Sequence, residues 1–219
     1  MDVYEAMASR RTIRDFSTRE VSPEVIRKII SAGMQAPSNN HLRQWHFILL
    51  QDRARRKALV DQVLKPVTPE GALEMVNHMG LTDPIQREMY LEAIPKQHDM
   101  LMNSTCLIVP CFWQHVSLLK PKTLSDLNYF ASVWACIENI LVAAAAEGVL
   151  GVIRIPFEIE RRTMKEFLCL PEGYEIPCWI ALGYPAENIA ISKQVSVRLE
   201  DHIHIDLWEH ALEATTLFN

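Results

Sequence analysis

The stretch "FASVWACIENILVAAAAEG", Phe130 to Gly148, restricts the possible folds more than any other part of the chain. It is rich in alanine and holds no proline, and its one glycine is its last residue. It therefore reads as the body of a long helix from about Leu124 to Glu147. Val133, Trp134, Ile137, Ile140, Leu141, Val142 and the alanines Ala143 to Ala146 leave that helix apolar on almost every side. A helix without a wet face has to be covered all round, either by a core or by a second subunit. A bilayer would also cover it. However, the longest uninterrupted apolar run, Ile140 to Ala146, falls far short of the about 20 residues a span needs. The N-terminus, "MDVYEAMASRR", lacks the charged-then-apolar order of a signal peptide. The expectation is a single cytoplasmic domain, residues 1–219, with no membrane partner, built around this helix.

Other elements are placed by their punctuation. Asp2 caps a first helix that runs toward Arg10. Ser22-Pro23-Glu24 starts a second, which carries Val25, Ile26, Ile29 and Ile30 and stops at Gly33. "APSNN" is a loop, "WHFILL" a strand and "ARRKALVDQVL" an amphipathic helix. Residues 65–102 differ: Pro66, Pro69, Pro84 and Pro95 divide short helical pieces rich in methionine. This segment reads as a helical lid insertion without a strong core face, its methionines serving either as packing or as the lining of an apolar pocket. "TCLIVPCF", Val149 to Ile155 and "IPCWIALGYP" read as strands, and "EIERRTMKEFL" as a helix between the last two.

Several function classes are excluded. A net charge of −5, with few basic runs, argues against a nucleic-acid partner. Five widely spaced cysteines without a C-x-x-C give neither a disulfide framework nor a zinc site; most sit in apolar stretches as buried thiols. "HIH", His202 and His204, is the only tight histidine pair, and no metal site is expected. P-loop, G-x-G-x-x-G and G-x-S-x-G motifs are all missing.

The basic knot "RRTIR" stands out in this acidic chain. Near a helix C-terminus its arginines can simply complement the helix dipole and stay solvated. In an extended segment, Arg10, Thr12 and Arg14 share one face, and two guanidiniums with a hydroxyl make a phosphate cradle.

"SRRTIRDF", followed by the Ser-Pro-Glu helix and "AGMQAPSNNHLRQWHFILL", resembles the opening of the FMN-dependent nitroreductase family. "ENILVAAAAEGVLGVIRIPF" resembles that family's central helix and flavin-contacting strand, and "IPCWIALGYPAE" its last core strand. The resemblance implies an α+β fold: a three-layer α-β-α sandwich on a mixed, mainly antiparallel sheet. It also implies an intertwined homodimer with FMN at the subunit interface. Arg10, Arg11 and Thr12 match the positions that hold flavin phosphate and ribityl, and Arg14 the basic position near N1. Pro37, Ser38 and Asn40 match the loop that the partner lays on the ring, and Ile153, Arg154 and Ile155 the strand whose backbone faces N5. Lys193 and Arg198 both lie near the family's C-terminal phosphate-binding position.

Where the family pattern has Asn, Gln and Pro, this chain has His41, Arg43 and Gln44. His41, and Pro156 after the strand, look like the flavin-dependent dehalogenase branch that includes iodotyrosine deiodinase. His41 and Tyr90 are the candidate substrate contacts. The implied activity is ping-pong reduction of nitroaromatic, quinone or similar electrophilic small-molecule acceptors, with NADH or NADPH as donor. The alternatives are a reductive dehalogenase or other narrow-substrate flavin reductase, and a non-catalytic flavin- or ligand-binding dimer.

Overall fold

The computed structural model describes residues 1–189, 191 and 193–208. The helices are α1 Val3–Ser9, α2 Pro23–Gly33, α3 Arg53–Val63, α4 Pro69–His78, α5 Pro84–Ala93, α6 Gln97–Asn103, α7 Asn128–Ala146 and α8 Glu158–Phe167. The strands are β1 Trp45–Leu49, β2 Cys106–Trp113, β3 Leu150–Arg154, β4 Tyr174–Glu175 and β5 Trp179–Gly183. They form one sheet in the order β1-β2-β5-β3, with β4 paired to β2, and every strand pair is antiparallel. A single parallel bridge, Thr12 to Gly151, makes the sheet mixed.

Helix starts follow the capping residues. Asp2 and Glu5 form a reciprocal capping box on α1, and the Ser22 hydroxyl accepts from Val25 N ahead of Pro23 in α2. β2 shows why the central strands read as continuous apolar runs. Cys106, Ile108 and Phe112 face α2 and α7, while Leu107, Val109 and Cys111 face α3, α6 and α8. Both faces are covered, so no polar alternation is needed. This is the three-layer α-β-α sandwich.

α7 packs against α2 so closely that a Cβ on Gly33 would stand 2.5 Å from Ile140 Cγ1. Val133, Cys136, Ile137, Ile140, Leu141, Ala144 and Ala145 fill its buried side. The expected regular helix from Leu124 begins instead as a 3₁₀ turn, Leu124–Leu127. With that turn, α7 has the length and hydropathy of a membrane span, but it serves as the core helix of the sandwich. It is also not covered all round: Ala131, Glu138, Asn139 and Ala146 form an open stripe.

The 65–102 segment has more core than its sequence suggests. Ala72, Val76 and Ile94 make a small cluster of their own, and α6 buries Met100 and Leu101 in the main core beneath the sheet.

Candidate functional site

The basic knot leaves α1 at Arg10 and crosses the molecule as an extended strap, Arg10 to Phe16. Ile13 N donates to Gly151 O at 3.2 Å, and Phe16 bridges to Pro185. The strap docks at Gly151 through the Thr12 bridge, and that position has no room for a side chain on its β5 side, where a Cβ would lie 2.1 Å from Ala181 O. The strap thus covers the open edge of β3. Buried Ile13 points inward, and its neighbours turn toward a cavity of about 770 Å³.

The cavity is walled by Arg10, Arg11, Thr12 and Arg14 of the strap, by Gly151 to Ile155 of β3 and the turn after it, and by the 65–102 segment. Met75 from α4, Met79 just past its end, and Met89 and Tyr90 from α5 face it. The methionines therefore line a pocket as well as pack. Arg10 Nε stands 3.0 Å from Glu138 Oε1 on the open stripe of α7, with both side chains well exposed. Arg14 is different: its side chain is only 11% exposed, its nearest carboxylate is Glu92 at 4.0 Å, and Nη2 meets Met89 Sδ at 3.8 Å. Burial pulls its pKa below the ordinary arginine value, while Glu92, Asp15 and Tyr90 oppose that shift. It remains a cation at neutral pH, held in a partly dry wall.

Lys96 ties the 65–102 segment to the strap. Its ammonium donates to Asp15 Oδ2 at 2.6 Å and to Glu92 Oε1 at 2.9 Å. Desolvation lowers its pKa, but the hydrogen bonds to Asp15 and Glu92 outweigh that and the net shift is upward.

Of the residues singled out from sequence, Arg10, Arg11, Thr12, Arg14, Tyr90, Ile153, Arg154 and Ile155 line this one cavity. The expected contact of Arg154 with the flavin is through its backbone, and its side chain is engaged inside the protein. It is 6% exposed and gives both guanidinium ends to Glu160, at 2.7 and 2.8 Å. Pro37, Ser38, Asn40 and His41 lie on the α2–β1 loop and do not line the cavity within one chain. Asn40, His41 and Arg43 there all have positive φ, of 53°, 57° and 44°. The Ser38 hydroxyl accepts from Arg43 N, and Asn39 N donates to the Ser132 hydroxyl, which fixes the loop to α7. Lys193 and Arg198 are exposed and also outside the cavity; Arg198 faces Asp201 at 4.0 Å. Lys65, Gln97, Glu138 and Glu160 line the cavity without having been foreseen. Only Glu138 had a sequence signal, as the lone acid in the apolar helix.

Among the described residues no His, Cys, Asp and Glu group can hold a metal ion. The donor set suits a flavin mononucleotide instead. Arginines and a threonine would meet the doubly charged phosphate, a largely buried cation would meet the electron-rich edge of the ring, and the volume lies within the range of cofactor pockets.

Comparison with known proteins decides the class. The Nitroreductase family model matches residues 7–184, from α1 to the end of β5. The chain belongs to the nitroreductase family. Membership makes it an FMN-dependent oxidoreductase. A relative from Archaeoglobus fulgidus, which carries the name NADH dehydrogenase/NAD(P)H nitroreductase, is 31% identical over 207 residues, covering 91% of this chain and 95% of its own. Iodotyrosine deiodinase from Nematostella vectensis is 23% identical over 202 residues, covering 91% of this chain and 73% of its own. The fold is shared with the crystal structure of an iodotyrosine deiodinase bound to FMN and 3-iodo-L-tyrosine. There the TM-score is 0.68 at 14% identity, with 90% of this chain and 97% of that one covered.

Proposed function

We propose that this nitroreductase-family chain is a homodimeric, cytoplasmic NAD(P)H oxidoreductase that reduces electrophilic aromatic acceptors such as nitroaromatics and quinones in a ping-pong cycle. The observation that carries this reading is the strap, whose Arg10, Arg11, Thr12 and Arg14 stand together on one wall of the 770 Å³ cavity. Bound FMN supplies the redox chemistry, accepting a hydride from the nicotinamide and passing electrons to the acceptor. The chain's residues supply position and charge. Arg10 to Thr12 hold the phosphate end, and Arg14 stabilises the negative charge that reduction brings to the ring. The backbone of Ile153 to Ile155 forms the wall beside the ring. Pro37, Ser38, Asn40 and His41 of a second copy close the site from above. Lys193 or Arg198 adds a cation at the phosphate. The lid over residues 65–102 selects the acceptor, with Tyr90 and the methionines facing it.

Reconstitution tests the reading directly. The purified protein binds FMN with quenched fluorescence, NADH or NADPH bleaches the 450 nm region, and a nitroaromatic restores it. Absence of flavin binding refutes the proposal, and bound flavin that neither nicotinamide bleaches leaves a binding module.

The deiodinase relatives favour a second reading, reductive dehalogenation of a halophenol. In the 65–102 segment Tyr90 lines the cavity, while Lys96 is engaged by Asp15 and Glu92 and is not offered to a halophenol. This favours the nitroreductase reading. Reoxidation of the reduced protein by an iodophenol with iodide release, but not by a nitroaromatic, would reverse the order.

A further inference from the structure

Arg154 ends β3, and its guanidinium is spent inside the protein. Nη1 and Nη2 take the two oxygens of Glu160 at 2.7 and 2.8 Å, and Nε donates to Gln97 Oε1 at 2.9 Å. Glu160 Oε2 also accepts from Phe157 N at 2.8 Å, so a single carboxylate oxygen caps α8 and receives the arginine. Between the two anchors lies the turn Ile155-Pro156-Phe157. Its Ile155 and Phe157 side chains are 65% and 67% exposed at the edge of the cavity. Packing of those two side chains contributes little, because most of their surface is in the open, so the turn is defined by buried Pro156 at its centre and by its two ends. At the ends the buried pair does so: Arg154 is 6% and Glu160 8% exposed. Two ions are taken out of water here, which carries a desolvation cost that two apolar residues would avoid. A pair kept under that cost calls for a geometric role. Gln97, at the first turn of α6, extends the same network to the segment that carries the lid.

We propose that Arg154, Glu160 and Gln97 are positioning residues that hold the Ile155–Phe157 turn in one conformation against the bound flavin ring and couple it to α6. This rests on the flavin reading above. None of the three is a catalytic residue, since each acts through the turn.

The test compares wild type with Arg154→Lys, which keeps the charge and loses the fork, and Gln97→Met, which keeps the ion pair and loses the link to α6. Hydrogen exchange of the peptide spanning the turn is measured without FMN. FMN affinity and midpoint potential are then measured on the loaded protein. In Arg154→Lys the turn exchanges faster by on the order of tenfold, as expected for one lost charge-assisted hydrogen bond, while β5 exchanges as in wild type. The oxidised and reduced flavin then bind with a changed ratio. A tenfold change corresponds to about 30 mV in the two-electron potential, a readout that a purely structural pair would leave alone. Gln97→Met shifts the same readouts in the same direction by less. Wild-type exchange, affinity and potential in Arg154→Lys overturn the proposal. If that variant does not fold, wild-type values throughout in Gln97→Met overturn it. Failure of the wild-type protein to bind FMN sinks the flavin reading alone, and exchange in the flavin-free protein still decides whether the network holds the turn.

Discussion

Arg10 and Arg14 stand four positions apart and do different work because their surroundings differ. Arg10 is open to solvent and already faces a carboxylate, Glu138. Incoming phosphate has to compete with that pair, which is weak at such exposure. Arg14 is desolvated with only long contacts to Glu92 and Met89, so its charge reaches farther into the cavity. Arg10→Ala is expected to weaken FMN binding by about 1.5–3 kcal/mol, the worth of a hydrogen bond to a charged group. Fluorescence titration measures this, and unchanged affinity would remove Arg10 from the cradle. The thiols are also set by burial, which pushes Cys106, Cys111 and Cys136 up to about 12, and Cys178 upward too. Cys169 alone is exposed. A thiol reagent at pH 8 should therefore modify one cysteine per native chain and five after unfolding; rapid native modification of a second would contradict the buried assignment. Sequence placed Arg154 beside the flavin only through its backbone position. That its side chain turns inward depends on Glu160 and Gln97, the latter 57 positions away.

At the scale of elements, the junction of α3 and α6 carries a pH dependence. When protonated, His98 donates from Nε2 to Asp61 Oδ1 at 2.9 Å and from Nδ1 to Asp99 Oδ1 at 3.1 Å. Burial alone would lower its pKa, but the two carboxylates outweigh burial and raise it above 6.5. The stabilisation is therefore complete below pH 6.5 and is lost as pH rises through the folded value. Asp61 sets the acid side. Hydrogen bonds from Lys57 and His98 lower its pKa below 3.8, so its share is present above 3.8 and disappears on acidification through the folded value. His98→Asn should flatten the Tm-versus-pH curve between about pH 6 and 8; an unaltered slope in that range would refute the assignment. The close crossing of α2 and α7 makes a second test. Gly33→Val forces a side chain onto Ile140 and should cost about 1–3 kcal/mol in urea unfolding, as overpacking does. The glycine's role as a helix stop was legible from sequence, but its role as the contact point of two helices was not, since that needs the partner helix.

At the scale of the whole molecule, α7 leaves an open stripe, and the α2–β1 loop with its three residues at positive φ stands outside the cavity of its own chain. Holding that loop in the left-handed region costs on the order of 1–3 kcal/mol for each strained residue, and such strain persists where surrounding contacts over-determine it. A second subunit lying on the stripe would cover it and bring its own loop to the site. Ala131 is exposed on that stripe, so Ala131→Arg should leave the fold intact by circular dichroism. Sedimentation should show a monomer, and FMN binding should fall with the dimer. A stable dimer in this variant would move the interface elsewhere.

Local sequence set those parts of the fold that near neighbours govern. Caps at Asp2 and Ser22, the apolar periods of α2 and α7, and the unbroken hydrophobic run of β2 all arise from groups within a few positions, where backbone hydrogen bonding and burial leave little choice. The order of "RRTIR", "APSNN" and "GVIRIPF" added the family. Only the tertiary structure decided which charges are spent and which remain for a ligand. Lys96 meets Asp15 across 81 positions, Arg14 meets Met89 across 75, and the strap pairs with Gly151, at the far end of the chain's core. Those pairings depend on desolvation and close packing in three dimensions, and no local pattern encodes them.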